Sequence, residues 1–348
     1  MKQLKIIVAL TAGLFAFTSV NAGEMTVTGG MHATYQSEQN DVTGNPLGIN
    51  TDLTFTGATD TDFGAVTWSM GTDGTFLGGA AGNGADHKLT LASSYGTFRV
   101  GNTGDSANAV DDITPTAFEE ANGAGSGTYG TDFGSGLEGS MNFGYALGDI
   151  LGTGVSVDYT YYPKLDATLN NEKGASANAN AAKGSAQSIN IGIPLAGLPG
   201  VGDSPLGGAK ITLGYEEASN IINTKQQQKQ GATIAVVVPV GPLKVGYQKK
   251  AYAPENNNSV PSKTIFYKDD IIGIAFAVND ELALSYNLIE SEKHDELGTN
   301  VEQETKAINV AYTIGGLTLA LQDAKTSNNG YTAAATDDTR TFSVKTGF

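Results

Sequence analysis

Along most of the chain, apolar and polar side chains alternate one for one. Met25, Val27, Gly29, Met31, Ala33 and Tyr35 share one parity, and Thr26, Thr28, Gly30, His32, Thr34 and Gln36 the other. A period of two belongs to a strand with one apolar and one wetted face. The pattern returns at Ile49/Leu53/Phe55, Val66/Trp68/Met70, Leu89/Leu91, Phe98/Val100, Leu137/Met141/Phe143/Tyr145, Val155/Val157/Tyr159/Tyr161, Ile189/Ile191/Ile193 and Ile211/Leu213/Tyr215. It continues at Ile234/Val236/Val238, Leu243/Val245/Tyr247, Ile272/Ile274/Phe276/Val278, Leu282/Leu284/Tyr286/Leu288, Ile308/Val310/Tyr312/Ile314, Leu317/Leu319/Leu321 and Phe342/Val344/Thr346/Phe348. Sixteen strands are predicted. After the first twenty residues, the most apolar stretches are 232–243 and 271–278. Both are too short for a spanning helix.

The connections alternate as well. Short turns at 58–62, 93–95, 239–242, 279–280 and 315–316 take turns with long polar segments such as 37–46, 164–187, 220–230, 254–263, 290–304 and 323–337. One plain rim and one elaborate rim are the signature of an up-and-down antiparallel barrel, and an even strand number puts both ends on the plain rim. A closed barrel leaves no edge, so it pairs every backbone N–H and C=O even in hydrocarbon. The expected fold is therefore all-β, a transmembrane up-and-down antiparallel barrel of about sixteen strands. Pro194 goes against the pattern, because proline cannot donate to a ladder. The turn after it, 196–208, is also long for the plain rim.

Charge placement is an independent check, since a charged side chain at mid-bilayer on the lipid face costs ~2–4 kcal/mol. Asp52, Lys88, Arg99, Glu138, Asp158, Lys210, Glu216, Lys244 and Lys345 fall on the polar parity. Glu217, Lys249, Lys306 and Asp323 share the apolar parity, and each stands at the long-loop end of its strand. A soluble β-sandwich would alternate too, but it has no reason to keep short turns and long loops in strict alternation. At the start of the chain, Lys2 and Lys5 precede an apolar run, Ile6 to Val20, followed by Val20-Asn21-Ala22. This reads as a signal peptide over 1–22 that is cleaved to leave a barrel domain over 23–348.

Composition narrows the chemistry. Among 348 residues, 36 acids outnumber 20 bases for a net −16, and loss of two leader lysines makes it −18. That excludes a nucleic-acid partner, which needs a basic face. The absence of cysteine removes thiol nucleophiles and thiolate metal sites. His32, His87 and His294 are far apart and form no catalytic or metal-binding spacing, so neither an enzyme, a cofactor nor a resident metal is expected. The literal GxGxxG at 125–130 lacks the strand before it and the helix after it that a dinucleotide site requires. Asp111-Asp112 and Glu119-Glu120 are hard oxygen donors, but they lack EF-hand spacing.

With its leader, its sixteen alternating runs, Tyr95-Gly96-Thr97-Phe98-Arg99-Val100-Gly101 running into the long connection 102–132, and its terminal Phe348, the mature chain resembles the general diffusion porins of Gram-negative outer membranes. The resemblance implies a homotrimer in outer-membrane lipid and lipopolysaccharide that passes small hydrophilic solutes and ions. It also implies that the third long loop folds into the lumen. Asp105, Asp111, Asp112, Glu119 and Glu120 would then sit at the constriction, with Arg99, Lys88, His32 and Asn102 on the pore wall. The family's opposing wall often carries an arginine cluster; here the mature chain has only Arg99 and Arg340, and His32, Asn50 and Asn102 stand near where bases would be expected. A weak basic wall implies a preference for cations or neutral solutes. The competing expectation is an outer-membrane barrel with a plugged lumen, serving as an adhesin or structural surface protein.

Overall fold

The structure is a computed structural model that describes residues 24–38, 45–73, 86–121, 137, 139–165, 183–202, 204, 206–220, 225–254, 256–257, 264–296 and 301–348. The expected leader lies outside the described residues. The strands are β1 (Glu24–Glu38), β2 (Leu47–Thr61), β3 (Gly64–Asp73), β4 (Asp86–Ser93), β5 (Gly96–Gly101), β6 (Asn142–Leu147), β7 (Ser156–Tyr162), β8 (Lys183–Pro194) and β9 (Lys210–Asn220). They continue with β10 (Lys225–Gln227), β11 (Lys229–Val240), β12 (Leu243–Ala253), β13 (Asn256–Asn257), β14 (Thr264–Ala277), β15 (Leu282–Asp295), β16 (Glu302–Ile314), β17 (Leu317–Ser327) and β18 (Thr336–Gly347).

Among the described residues, sixteen of these strands form a closed antiparallel barrel in which sequence neighbours are spatial neighbours. The short β10 and β13 pair separately, across the connections that follow β9 and β12. Closure is made by β1 against β18, with Gly30 opposite Gly347, Tyr35 opposite Phe342 and Glu38 opposite Thr339. Reciprocal backbone bonds between Gly29 and Phe348, 3.1 and 2.9 Å, complete the seam. Each of the sixteen runs of the sequence marks its own barrel strand, although the sixth begins before β6 does.

The alternation becomes two surfaces. Ile49, Ile234, Ile274, Tyr286, Ile308, Leu321 and Phe342 are exposed on the outside. Their neighbours Thr233, Ser285, Asn287, Asn309, Gln322 and Thr341 are buried on the inside. Among the described residues, the buried apolar side chains gather in two small clusters, each where the segment after β5 packs on the inner wall. The charges on the outward parity pair with one another at the long-loop end. Lys249 meets Asp270 at 2.8 Å, Lys306 meets Glu304 at 2.5 Å and Arg340 meets Asp323 at 2.5 Å, while Glu217 accepts from Gln187 and from the Tyr215 hydroxyl.

Three details depart from simple alternation. Pro194 is tolerated because it is the last residue of β8, opposite Lys210, where the ladder ends. The turn beyond it satisfies its own backbone through successive i to i+3 bonds, beginning Leu198 N–H to Leu195 O and Val201 N–H to Leu198 O. The two-residue connection Gly315-Gly316 has φ of +56° and +85°, a pair that glycine adopts without strain. The β6 run is shorter than its apolar parity implies. Ser140 N–H turns back onto Leu137 O, and Leu137 is fully buried against Ala107, Val110 and Tyr162.

If the outward face meets hydrocarbon, a charge there is far more costly than one facing inward. In lipid vesicles, Ile274→Lys should lower unfolding stability by ~2–4 kcal/mol, and inward Thr56→Lys by much less. Reversible urea unfolding followed by Trp68 fluorescence would measure both; equal losses would reject the assignment of faces.

Candidate pore constriction

The chain after β5 crosses into the barrel instead of leaving it. Residues 102–121 are bonded to inward side chains of successive strands, in the order in which those strands stand around the wall. Ser106 N–H donates to the Thr160 hydroxyl of β7 at 3.0 Å, and Asn190 of β8 donates to Ser106 O at 2.9 Å. Gln248 of β12 serves three loop groups: its amide nitrogen donates to Val110 O and Asp111 O, and its oxygen accepts from Ile113 N–H. Beyond it, Asn287 of β15 donates to Pro115 O, and Ser285 accepts from Ala117 N–H. Asn309 of β16 and Gln322 of β17 donate to Glu119 O, and Gln322 also to Glu120 O. The loop reaches β1, where the Phe118 ring stands edge-on to His32 with centroids 6.1 Å apart.

A loop away from bulk water needs partners for its backbone, and the amides of the wall supply them. Two glycines supply the space. A Cβ at Gly246 would stand 2.3 Å from Pro115 Cδ, and one at Gly273 would stand 2.7 Å from Pro115 O. Two apolar clusters anchor the loop ends, Ala107 and Val110 with Leu137 and Tyr162 on one side, Ala121 with Ile271, Ile289, Ala307 and Ala324 on the other.

No family model matches the chain, and no curated protein matches it either. Solved structures do. OmpF of Salmonella typhi, solved with daunomycin, aligns at TM-score 0.67 with 12% identity, covering 94% of this chain and 98% of the other. A loop-deletion form of the Vibrio cholerae outer-membrane protein OmpT aligns at 0.65, with 12% identity over 94% and 100%. An anion-selective porin of Comamonas acidovorans aligns at 0.64, also with 12% identity over 94% and 100%. The chain has the porin fold.

Within this porin fold the five loop acids have different surroundings. Asp105 is buried, and its carboxylate accepts the backbone N–H groups of Ala107 and Asn108, both at 2.9 Å. It shapes a turn. Asp111 and Asp112 converge on Lys250 of β12, with Nζ 2.7 and 3.2 Å from their carboxylates. Asp112 keeps 46% of its side chain exposed and faces the lumen. Glu120 accepts from the Thr114 hydroxyl at 3.0 Å; burial, reinforced by the Asp112 carboxylate, pushes its own carboxyl up to about 8. Burial also raises Glu119, against the opposing pull of His32 and Lys345.

The wall residues differ as much. Arg99 lies flat over Gly144, where a Cβ would meet its guanidinium at 2.6 Å, and makes a bidentate pair with Asp158 at 2.5 and 2.7 Å. It is a wall-to-wall tie rather than a counter-charge to the loop. Lys88 lies beside the loop's beginning, its Nζ near Gly104. Asn102 is 5% exposed and clipped to the His87 backbone through both its own N–H and its side-chain oxygen. His32 is held by a 2.6 Å bond to Ser343.

Sequence reasoning missed Lys250 and Gln248. Both lie on the polar parity of β12, two and four positions past Gly246. The inward glycines Gly246 and Gly273 were the available signal, since a pore wall has no need of them and a docked backbone does. Gly246→Val should displace the loop, and Gln248→Ala should loosen it by ~1–3 kcal/mol for each group left unpartnered out of water. Limited proteolysis should then cut within 102–121 while the barrel stays intact. Cleavage no faster than in the parent protein would overturn this account of docking.

Proposed function

We propose that the protein is an outer-membrane channel for passive diffusion of small hydrophilic solutes and ions, with no catalytic role. The observation that carries this reading is the lumen itself. Its wall is lined by Thr, Ser, Asn, Gln and charged side chains, and the loop is bonded along that wall. The porin fold and the apolar exterior support a place in the outer membrane. Trimeric assembly is the expected state, because one of the solved neighbours, OmpT, is described in a trimer form. The outward ion pairs at the long-loop end suit the headgroup layer, including lipopolysaccharide.

For selectivity, the fold is neutral, since one neighbour is itself described as anion-selective. The decision lies with this chain's own side chains. Arg99 is paired with Asp158 and Lys250 with Asp111 and Asp112; Asp112, with 46% of its side chain exposed, and Glu119 are the loop carboxylates placed to act on a passing ion, against the inward lysines Lys88, Lys210 and Lys345 of the wall, in a mature chain whose net charge is strongly negative. Rings of fixed acid raise the local concentration of cations and repel anions. A cation preference follows.

Planar-bilayer recording across a salt gradient tests the reading. Stepwise channels with a cation-selective reversal potential are expected, and Asp112→Asn with Glu119→Gln should move that potential toward zero. Closed or anion-selective channels would reject the proposal, and failure of small sugars to swell liposomes would favour the plugged barrel.

Selectivity should also depend on pH. Glu120, with its carboxyl raised to about 8, is neutral at lower pH and gains its charge as pH rises through that value. Cation preference should therefore increase from neutral pH to about pH 9. Glu120→Gln should abolish the rise; an unchanged profile would assign it elsewhere.

A further inference from the structure

On the short-turn side of the loop, between residues 109–113 and the inner wall of β6 to β11, lies a cavity of about 490 Å³. That volume is in the range of small-ligand sites, ~300–1,000 Å³. Its polar lining is Asp112 from the loop, Ser156 and Asp158 from β7, Asn190 from β8, and Lys210 and Thr212 from β9.

Gly192 forms part of its floor. A Cβ there would stand 2.7 Å from Ser156 Oγ, 2.9 Å from Lys210 Cε and 3.2 Å from Lys210 Nζ. The hydroxyl and the ammonium thus converge over one patch of bare backbone. Asn190, one inward position away on the same strand, uses one amide N–H on Ser106 O, which leaves a second donor. Lys210 is exposed, and among the described residues its side chain has no ion pair or hydrogen bond. Three donors, from Ser156, Asn190 and Lys210, therefore line the same side of the cavity.

The opposite pole is acidic. Asp112 overhangs the cavity with nearly half its side chain exposed, and among the described residues its one ion pair, to Lys250, is at 3.2 Å. Asp158 is already neutralised by Arg99. A dianion such as phosphate would be drawn to Lys210 but repelled by the Asp112 carboxylate, and a simple cation would be drawn to Asp112 but repelled by Lys210. A molecule carrying both charges satisfies both poles.

We propose that this niche is a binding subsite for small zwitterionic solutes, the carboxylate held by Lys210, Ser156 and Asn190 and the ammonium by Asp112. The proposal rests on the channel reading above, because such a solute reaches the niche through the lumen, but binding can be measured without conduction. The test is saturation-transfer NMR on the full chain folded in detergent, in low salt so that the charges are little screened. The probes are glycine, 3-aminopropionate, 4-aminobutyrate and 5-aminopentanoate, compared with butyrate and butylammonium.

At least one amino acid of the series should bind more tightly than both single-charge compounds. Lys210→Gln should weaken it roughly tenfold, as loss of a charge-assisted hydrogen bond does, and Asp112→Asn should weaken it comparably. Should Lys210→Gln misfold, Ser156→Ala reads the same pole with a smaller loss. Equal binding of butyrate, no binding of any zwitterion, or indifference to both substitutions would overturn the subsite. Absence of channels in the bilayer would overturn the transport reading instead and leave the NMR result standing.

Discussion

The structure depends on a ribbon with two unlike faces being forced to close. An antiparallel sheet of this length has two edges, and each edge is a row of unpaired donors and acceptors. Pairing β1 with β18 removes both edges at once. After closure, inside and outside are chemically distinct for every residue, because parity assigns each to one or the other. The cost of a register slip is therefore shared by the whole chain: shifting one strand by a single residue would carry its polar set outward and its apolar set inward.

The inside then has a second duty that parity does not announce. A wall that only had to be wet could be built from any short polar side chain. The wall of β12 and β15 to β17 is richer than that, with Gln248, Asn287, Asn309 and Gln322 each reaching a loop carbonyl. Amides carry donor and acceptor on one short stem, so they can complete a backbone that has no sheet of its own. The buried charges are handled similarly. Arg99 with Asp158 and Lys250 with Asp111 are joined pairs in which each partner offsets the other's desolvation.

Legibility in the sequence followed this division. Sixteen strands, their faces and the alternation of turns could be read directly, because a period of two over six or more residues has one structural meaning in a chain this polar. The place of the long third loop was legible only through resemblance, and its individual acids were not. Asp105 looks the same in sequence as Asp112, yet one caps a turn and the other faces the lumen. What separates them is a wall partner: the side chains bonded to the loop come from 54 to 203 positions away. No local pattern reports such a distance. Leu137 misled for a similar reason, its parity matching β6 although its side chain packs on the loop.

Those long separations bear on the order of assembly. The loop is made early in synthesis, but most of its partners, from Gln248 to Gln322, are made later and come within reach only once the cylinder has formed. Its seating thus requires β12 and β15 to β17 to stand in place around it. Without the loop the same wall would enclose a wider bore, so the width of the lumen is set by contacts between positions 54 to 203 residues apart.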